Sequence, residues 1–235
     1  MPSKIYLIPT TLHEDEISLQ TIPGYILQAI KDCHVFFAEN EKTTRRYFKK
    51  LWKDIQINNY EWHAIHKAEQ TVKQKFLQYI SEQKNIGITS EAGCPAIADP
   101  GQLLVEEAQN ANAEIIPIVG PSSILLALMA SGMNGQKFQF NGYLPVGSFD
   151  RKKVIKQLEE YSAKNNCTQI FIETPYRNNQ LAQDVISVCK TETRFCIASE
   201  LTSANQKIQT KTIRNWQNNL PELHKKPVIF LLHAI

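Results

Sequence analysis

The sequence predicts an α/β protein made of two successive α/β domains, residues 1–120 and 121–235. Three observations predict this. Short apolar runs alternate with longer amphipathic stretches, the rhythm of strand–helix–strand units on a parallel or mostly parallel sheet. That rhythm breaks at Ser131-Gly132-Met133-Asn134-Gly135, where small and turn-forming residues cluster, so the join falls near residues 120–135. A second alternating series then follows.

In the first series, residues 4–9 read as a strand, and Ile26, Leu27, Ala29 and Ile30 recur at helical spacing. Residues 35–38 are a second strand, and residues 43–52 a basic helix. Val72, Phe76, Leu77 and Ile80 form an i, i+4, i+5, i+8 stripe, which marks residues 71–83 as a helix. Residues 86–89 are a buried strand, Leu103 to Ala108 a helix, and residues 114–119 another strand. In the second series, residues 138–144, 169–173, 194–199 and 227–232 are strands. Residues 152–161 and 179–188 are the helices between them.

Apolar residues make up 43% of the chain, with 10 Phe, 8 Tyr and 3 Trp, enough for a substantial core and against disorder. The 26 Lys and Arg against 23 Asp and Glu leave a net charge of +3, far from that of a dedicated nucleic-acid coat. The 5 cysteines are odd in number and none stands in Cys-x-x-Cys spacing, which argues against a disulfide framework or a cysteine zinc site. Reduced thiols in a cytoplasm are the simple expectation. No apolar run reaches spanning length, so a soluble protein without a membrane partner is expected.

The most constrained stretch is Ser90-Glu91-Ala92-Gly93-Cys94-Pro95-Ala96-Ile97-Ala98-Asp99-Pro100-Gly101, between a buried strand and a helix. Open α/β sheets bind ligands at such carboxyl-end loops. Its glycines and prolines fix the backbone and allow close approach to the main chain. A rigid crossover is the plain alternative, but a bare connection rarely needs so many constrained positions. If Gly93 serves ligand approach, Gly93→Val should block the ligand and leave the sheet intact. A second loop, Val119-Gly120-Pro121-Ser122-Ser123, precedes an apolar helix that Ser122 or Ser123 would cap.

Glu39, Glu173 and Glu200 each end an apolar strand. One acidic strand end is usually a cap or an ion-pair partner; several point to a polar cleft at the carboxyl edges. His63 and His66 would share a helical face, but no third metal ligand follows at a known spacing, so no metal is expected. The dinucleotide Gly-x-Gly-x-x-Gly and the P-loop are both absent. Basic residues cluster at 42–50 and at Arg151-Lys152-Lys153. The first cluster interleaves aromatics with cations as single-strand RNA surfaces do, although a solvated helix face is equally common.

Taken in order, these motifs resemble the ribosomal RNA small-subunit methyltransferase I family, of the tetrapyrrole methylase type. Ser90-Glu91-Ala92-Gly93-Cys94-Pro95…Asp99-Pro100-Gly101 is similar to its Ser-Asp-Ala-Gly-Thr-Pro…Asp-Pro-Gly loop. Val119-Gly120-Pro121-Ser122 resembles its Pro-Gly-Pro-Ser/Cys, and Gly142-Tyr143-Leu144-Pro145 its Gly-Phe-Leu-Pro. Glu173-Thr174-Pro175-Tyr176-Arg177 resembles Glu-Ser-Pro-His-Arg, and Glu200-Leu201-Thr202 resembles Glu-Leu-Thr. The acceptor-side loops depart further: Thr10-Thr11-Leu12-His13-Glu14 stands where the family has Pro-Ile-Gly-Asn-Leu, and Glu91 replaces its aspartate.

The resemblance implies two α/β domains holding S-adenosylmethionine in an interdomain cleft. It implies cofactor contacts from Glu91, Ala92, Gly93, Ile97, Ser122, Ser123, Glu173 and Leu201, and commonly a homodimer. The implied reaction is methylation of a cytidine ribose 2′-hydroxyl in small-subunit (16S) rRNA. A ribose hydroxyl is a poor nucleophile, so a base helps; Glu39, Glu173 and Glu200 are the candidates. Arg177 or Arg45 would orient a phosphate, and Arg45, Arg46, Lys49 and Lys50 form the expected RNA surface. Two alternatives stay open: a methyltransferase acting on a small molecule such as a tetrapyrrole, and a cofactor-binding protein without turnover.

Overall fold

The first series of apolar runs closes into a five-stranded sheet, and the second into another. The computed structural model describes residues 2–65 and 70–234. Its chain divides into one unit spanning Met1–Ser122 and a second spanning Ser123–Ile235.

In the first unit the elements run β1 (Lys4–Ile8), α1 (Glu16–Leu19), α2 (Ile26–Asp32), β2 (Val35–Ala38) and α3 (Glu41–Leu51). A 3-10 turn (Ile57–Asn59) follows, then β3 (Glu61–Ala64), α4 (Gln70–Ser81), β4 (Ile86–Thr89), α5 (Gln102–Asn110) and β5 (Glu114–Pro117). The strands lie in the order β3-β2-β4-β1-β5, and every pairing is parallel. β2 and β4 are buried at every position, as central strands covered on both faces must be. Phe37, Ile86 and Ile88 pack on one face with Phe76 and Tyr79 of α4 and Leu104 of α5. Tyr6, Ile8 and Phe36 pack on the other with Ile26 and Ile30 of α2 and Tyr47 and Phe48 of α3. β4 therefore sends its following helix to the opposite face from its neighbours β1 and β2. This makes a topological switch point, where the loops at the carboxyl ends part and open a crevice.

The second unit runs α6 (Ser123–Ser131), β6 (Phe138–Tyr143), α7 (Ser148–Asn165), β7 (Thr168–Ile172) and α8 (Asn178–Val188). It continues with β8 (Arg194–Ser199), β9 (Lys207–Thr212), α9 (Ile213–Trp216) and β10 (Val228–His233). The order is β6-β7-β10-β8-β9; β6 pairs parallel with β7, and the other pairings are antiparallel. Phe171, Phe230 and Phe195 stack across the three central strands, with ring centroids 6.0 and 5.8 Å apart. Ile155, Leu181, Val185 and Trp216 cover them. Trp216 is fully buried because its indole N–H finds a partner, the Phe195 carbonyl at 2.8 Å.

Candidate active site

In the first unit, the loops after β1, β4 and β5 are tied to one another mostly through backbone. The Thr10 amide donates to the Gly93 carbonyl at 2.9 Å, and the Ser90 hydroxyl donates to the same oxygen at 2.9 Å. The Cys94 thiol donates to the Gly120 and Pro121 carbonyls, each at 3.5 Å. The loop 90–101 and the loop 119–123 thus meet on one edge. A Cβ at Gly120 would sit 2.2 Å from Cβ of Pro9, so only glycine allows the β1 and β5 loops to touch there.

Gly93 has φ +78, and a Cβ would lie 3.0 Å from the Pro121 carbonyl and 3.1 Å from Leu12. Its glycine is demanded by the loop itself. A valine at 93 would disturb the loop–loop packing before meeting any ligand, so that substitution does not isolate ligand approach. Ala96 and Ala98 also take left-handed backbone, at φ 65 and 60. Glu91, Ala92 and Ile97 are exposed along the same loop. Asp99 accepts from the Gly101 amide at 2.6 Å; burial, with the nearby Glu39 charge adding to it, pushes its carboxyl up to about 6.

Glu39 follows β2 on this edge. Its carboxylate accepts from the Glu91 amide at 2.7 Å, and Asn40 donates to the Glu91 carboxylate at 3.3 Å. Beside them opens a cleft of about 210 Å³ between residues 10–15 and α3, with Glu91 and Ala92 at its border. The expected RNA residues lie along α3. Arg45 pairs with Glu41 at 2.7 Å and lies over Trp62, and Arg46 pairs with Glu14 at 2.9 Å. Lys50 donates to the Glu14 carbonyl, and Lys49 is exposed.

In the second unit, Glu173 and Glu200 follow β7 and β8. Those strands flank β10, whose Ile229 and Val228 face Ile172 and Ser199, so both carboxylates stand at one end of the sheet. The Glu173 side chain is fully buried, and one oxygen accepts from the Thr174 amide at 2.6 Å and from Arg177 at 2.7 Å. Burial would raise its pKa, but those two donors and the Arg177 charge outweigh it and hold the carboxyl below the usual range. The second oxygen lies 4.0 Å from Arg151. Arg151 is itself fully buried, bonded to Asp184 and to the Val146 carbonyl at 2.8 Å. Of the basic trio at 151–153, Arg151 is therefore an internal strut and not part of a surface. Glu200 pairs with Lys226 at 3.1 Å, and Leu201 beside it is buried. Ser123 opens α6, and Ser122 closes the first unit.

His63 lies on the strand β3, not on a helix. Its ring stacks on Phe37, and Nε2 is 3.0 Å from the Tyr79 hydroxyl, which in turn donates to Glu61. His66 lies outside the described residues. Among those described, no group of three potential ligands is placed to hold a metal, and no helix is long and apolar enough to cross a membrane. Sequence reasoning placed Arg151 in a basic cluster and missed its pairing with Asp184. The two stand 33 residues apart, and no local pattern pairs them.

The family model for Tetrapyrrole (Corrin/Porphyrin) Methylases matches residues 25–216. The crystal structure of the methyltransferase CobJ superposes with a TM-score of 0.62 at 15% identity, covering 98% of this chain and 93% of that one. Uroporphyrin-III-C-methyltransferase from Thermus thermophilus superposes with a TM-score of 0.55 at 13% identity, covering 99% and 93%. The chain is thus an S-adenosylmethionine-dependent methyltransferase of the tetrapyrrole methylase class. The ribosomal RNA small subunit methyltransferase I of Thermotoga maritima is 35% identical over 189 residues, 80% of this chain and 81% of the relative. That of Vibrio cholerae is 29% identical over 233 residues, 98% of this chain and 77% of the relative. The chain belongs to the ribosomal RNA small subunit methyltransferase I family.

Proposed function

We propose that the chain methylates a ribose 2′-hydroxyl of a cytidine in small-subunit rRNA. The observation that carries this reading is one sheet edge that joins a backbone-built loop system to a cleft walled by the cationic helix α3. S-adenosylmethionine, when bound, supplies the activated methyl group; the chain's task is to hold and align the reactants. The first unit fits that cofactor: Ala92 and Ile97 are exposed on the constrained loop, and Glu91 is exposed beside them, bonded to Glu39 and Asn40. Gly93, Ser122, Ser123, Glu173 and Leu201 complete the proposed cofactor set.

Glu39 is the proposed proton acceptor, because its carboxylate already touches the cofactor loop at Glu91. Glu173 is a poor base, being buried and held as an anion. Its role is to position Arg177, which at about one-third exposed can meet a phosphate or carboxylate. Glu200 is held by Lys226. Arg45, Arg46, Lys49 and Lys50 are the proposed RNA contacts. Following the family resemblance, we also propose a cytoplasmic homodimer, which sedimentation checks.

The deciding experiment offers methyl-labelled S-adenosylmethionine with whole small subunits, deproteinised 16S rRNA, or a porphyrinoid. Label recovered as 2′-O-methylcytidine is the expected result. Label in the porphyrinoid alone would transfer the assignment to a small-molecule acceptor, a reading that the altered loop at residues 10–14 favours.

A further inference from the structure

The cleft beside α3 already holds an anion of the chain's own. A single terminal nitrogen of Arg46 reaches both oxygens of Glu14, at 2.9 and 3.1 Å. Lys50 bonds the backbone carbonyl of the same residue. Arg46 and Glu14 both line the cleft, together with Thr10, Thr43 and Tyr47.

A guanidinium grips carboxylate and phosphate oxygens with the same geometry. The pair is exposed, Arg46 at 47% and Glu14 at 69%, so it is held weakly and exchanges readily with an outside anion. Glu14 also stands in the loop that departs from the family pattern, so the sequence around it carries no inherited explanation for a carboxylate here.

We propose that Glu14 occupies the seat of an RNA phosphodiester, and that acceptor RNA binds by displacing its carboxylate from Arg46. The proposal rests on the RNA reading above and names the contact through which that reading operates. Its physical content is a competition. In the free protein Glu14 neutralises Arg46; in the complex a phosphate does so, and the Glu14 carboxylate returns to water. One ion pair within the chain is exchanged for one across the interface, so breaking the Glu14–Arg46 pair subtracts from the affinity for RNA.

The test measures binding of a single-stranded 16S rRNA fragment by fluorescence anisotropy across a salt series. It uses the parent, Glu14→Gln, Arg46→Gln and the double variant, each checked for an unchanged melting temperature. Glu14→Gln should tighten binding roughly twofold to fivefold, the range an exposed ion pair allows. The log–log salt slope should stay close to the parent's, because the same phosphates are neutralised, and should fall by about 0.7 in Arg46→Gln, where one single-strand contact is lost. Arg46→Gln should weaken binding, and adding Glu14→Gln to it should then change nothing. Glu16→Gln makes the same charge change two residues along, on an exposed residue. If Glu16→Gln matches Glu14→Gln, or if the Glu14 gain persists without Arg46, the effect is a general field and the displacement proposal falls while RNA binding stands. A parent that binds no RNA overturns both the reading and the proposal.

Discussion

The carboxyl edge of the first sheet and the corresponding end of the second are fixed by opposite means. The first is shaped by backbone: glycine at 93 and 120, left-handed alanines at 96 and 98, and carbonyls shared between loops. The second is shaped by buried charge: Arg151 and Asp184 lie in the interior and Glu173 is held by Arg177. Backbone construction leaves side chains such as Ala92 and Ile97 exposed and available for a ligand. Buried charges are committed to one another, because removing either partner strands the other in a low-dielectric interior. The first edge is thus suited to chemistry and the second to rigidity.

Glu39→Gln should lower kcat by about 10²–10⁴-fold with little loss of stability, since an amide oxygen can still accept from the Glu91 amide. Methyl-transfer kinetics paired with thermal melting read both. A wild-type rate would take Glu39 out of the chemistry and blunt the contrast. On the other side, Asp184→Ala should cost about 3–5 kcal/mol, seen as a lower urea midpoint for the second unit. An unchanged midpoint would mean that Arg151 finds another partner.

Gly120→Ala should cost about 1–3 kcal/mol, because the added methyl must displace Pro9. Cofactor affinity, measured by calorimetry, should fall with it. The smallest effect expected is at Asp99. Its folded pKa of about 6 lies above the unfolded carboxylate value, so the native state binds this proton more tightly. Stability from this site is therefore present at low pH and lost as pH rises from about 4 through about 6. Asp99→Asn, which keeps an oxygen for the Gly101 amide, should stabilise the protein by about 1–2 kcal/mol at pH 7, allowing for the part of the carboxyl left in water. The gain should vanish near pH 4. A gain that is flat with pH would show that charge is not its source.

Much of this contrast was legible in the sequence on the first side and little on the second. The central strands β1, β2 and β4 declare themselves because strands covered on both faces are continuously apolar. The constrained loop 90–101 declares itself through its glycines and prolines. Of the edge strands, β5 and β6 were read from the sequence, but β3 and β9 were not. β3 reads Glu61-Trp62-His63-Ala64 and β9 reads Lys207-Ile208-Gln209-Thr210-Lys211-Thr212, both with the polar residues that guard an open edge. In β9 the alternation of Ile208, Thr210 and Thr212 was an available signal. The acidic strand ends were visible, but what each carboxylate touches was not. Glu173 and Arg177 share a local i, i+4 spacing, whereas Arg151 and Asp184 meet only through the packing of α7 on α8.

The place of β10 has a consequence for synthesis at the ribosome. The last strand of the second sheet is also its middle one, lying between β7 and β8. Every pairing in the first sheet is available once Pro117 has left the exit tunnel, but β7 and β8 have no partner between them until residues 228–233 emerge. Counted from Ser199 at the end of β8 to His233, that interval is on the order of a few seconds at about 5–20 residues per second. Throughout it, Phe171 and Phe195 wait for Phe230, and the nascent second unit exposes the aromatic stack that will become its core.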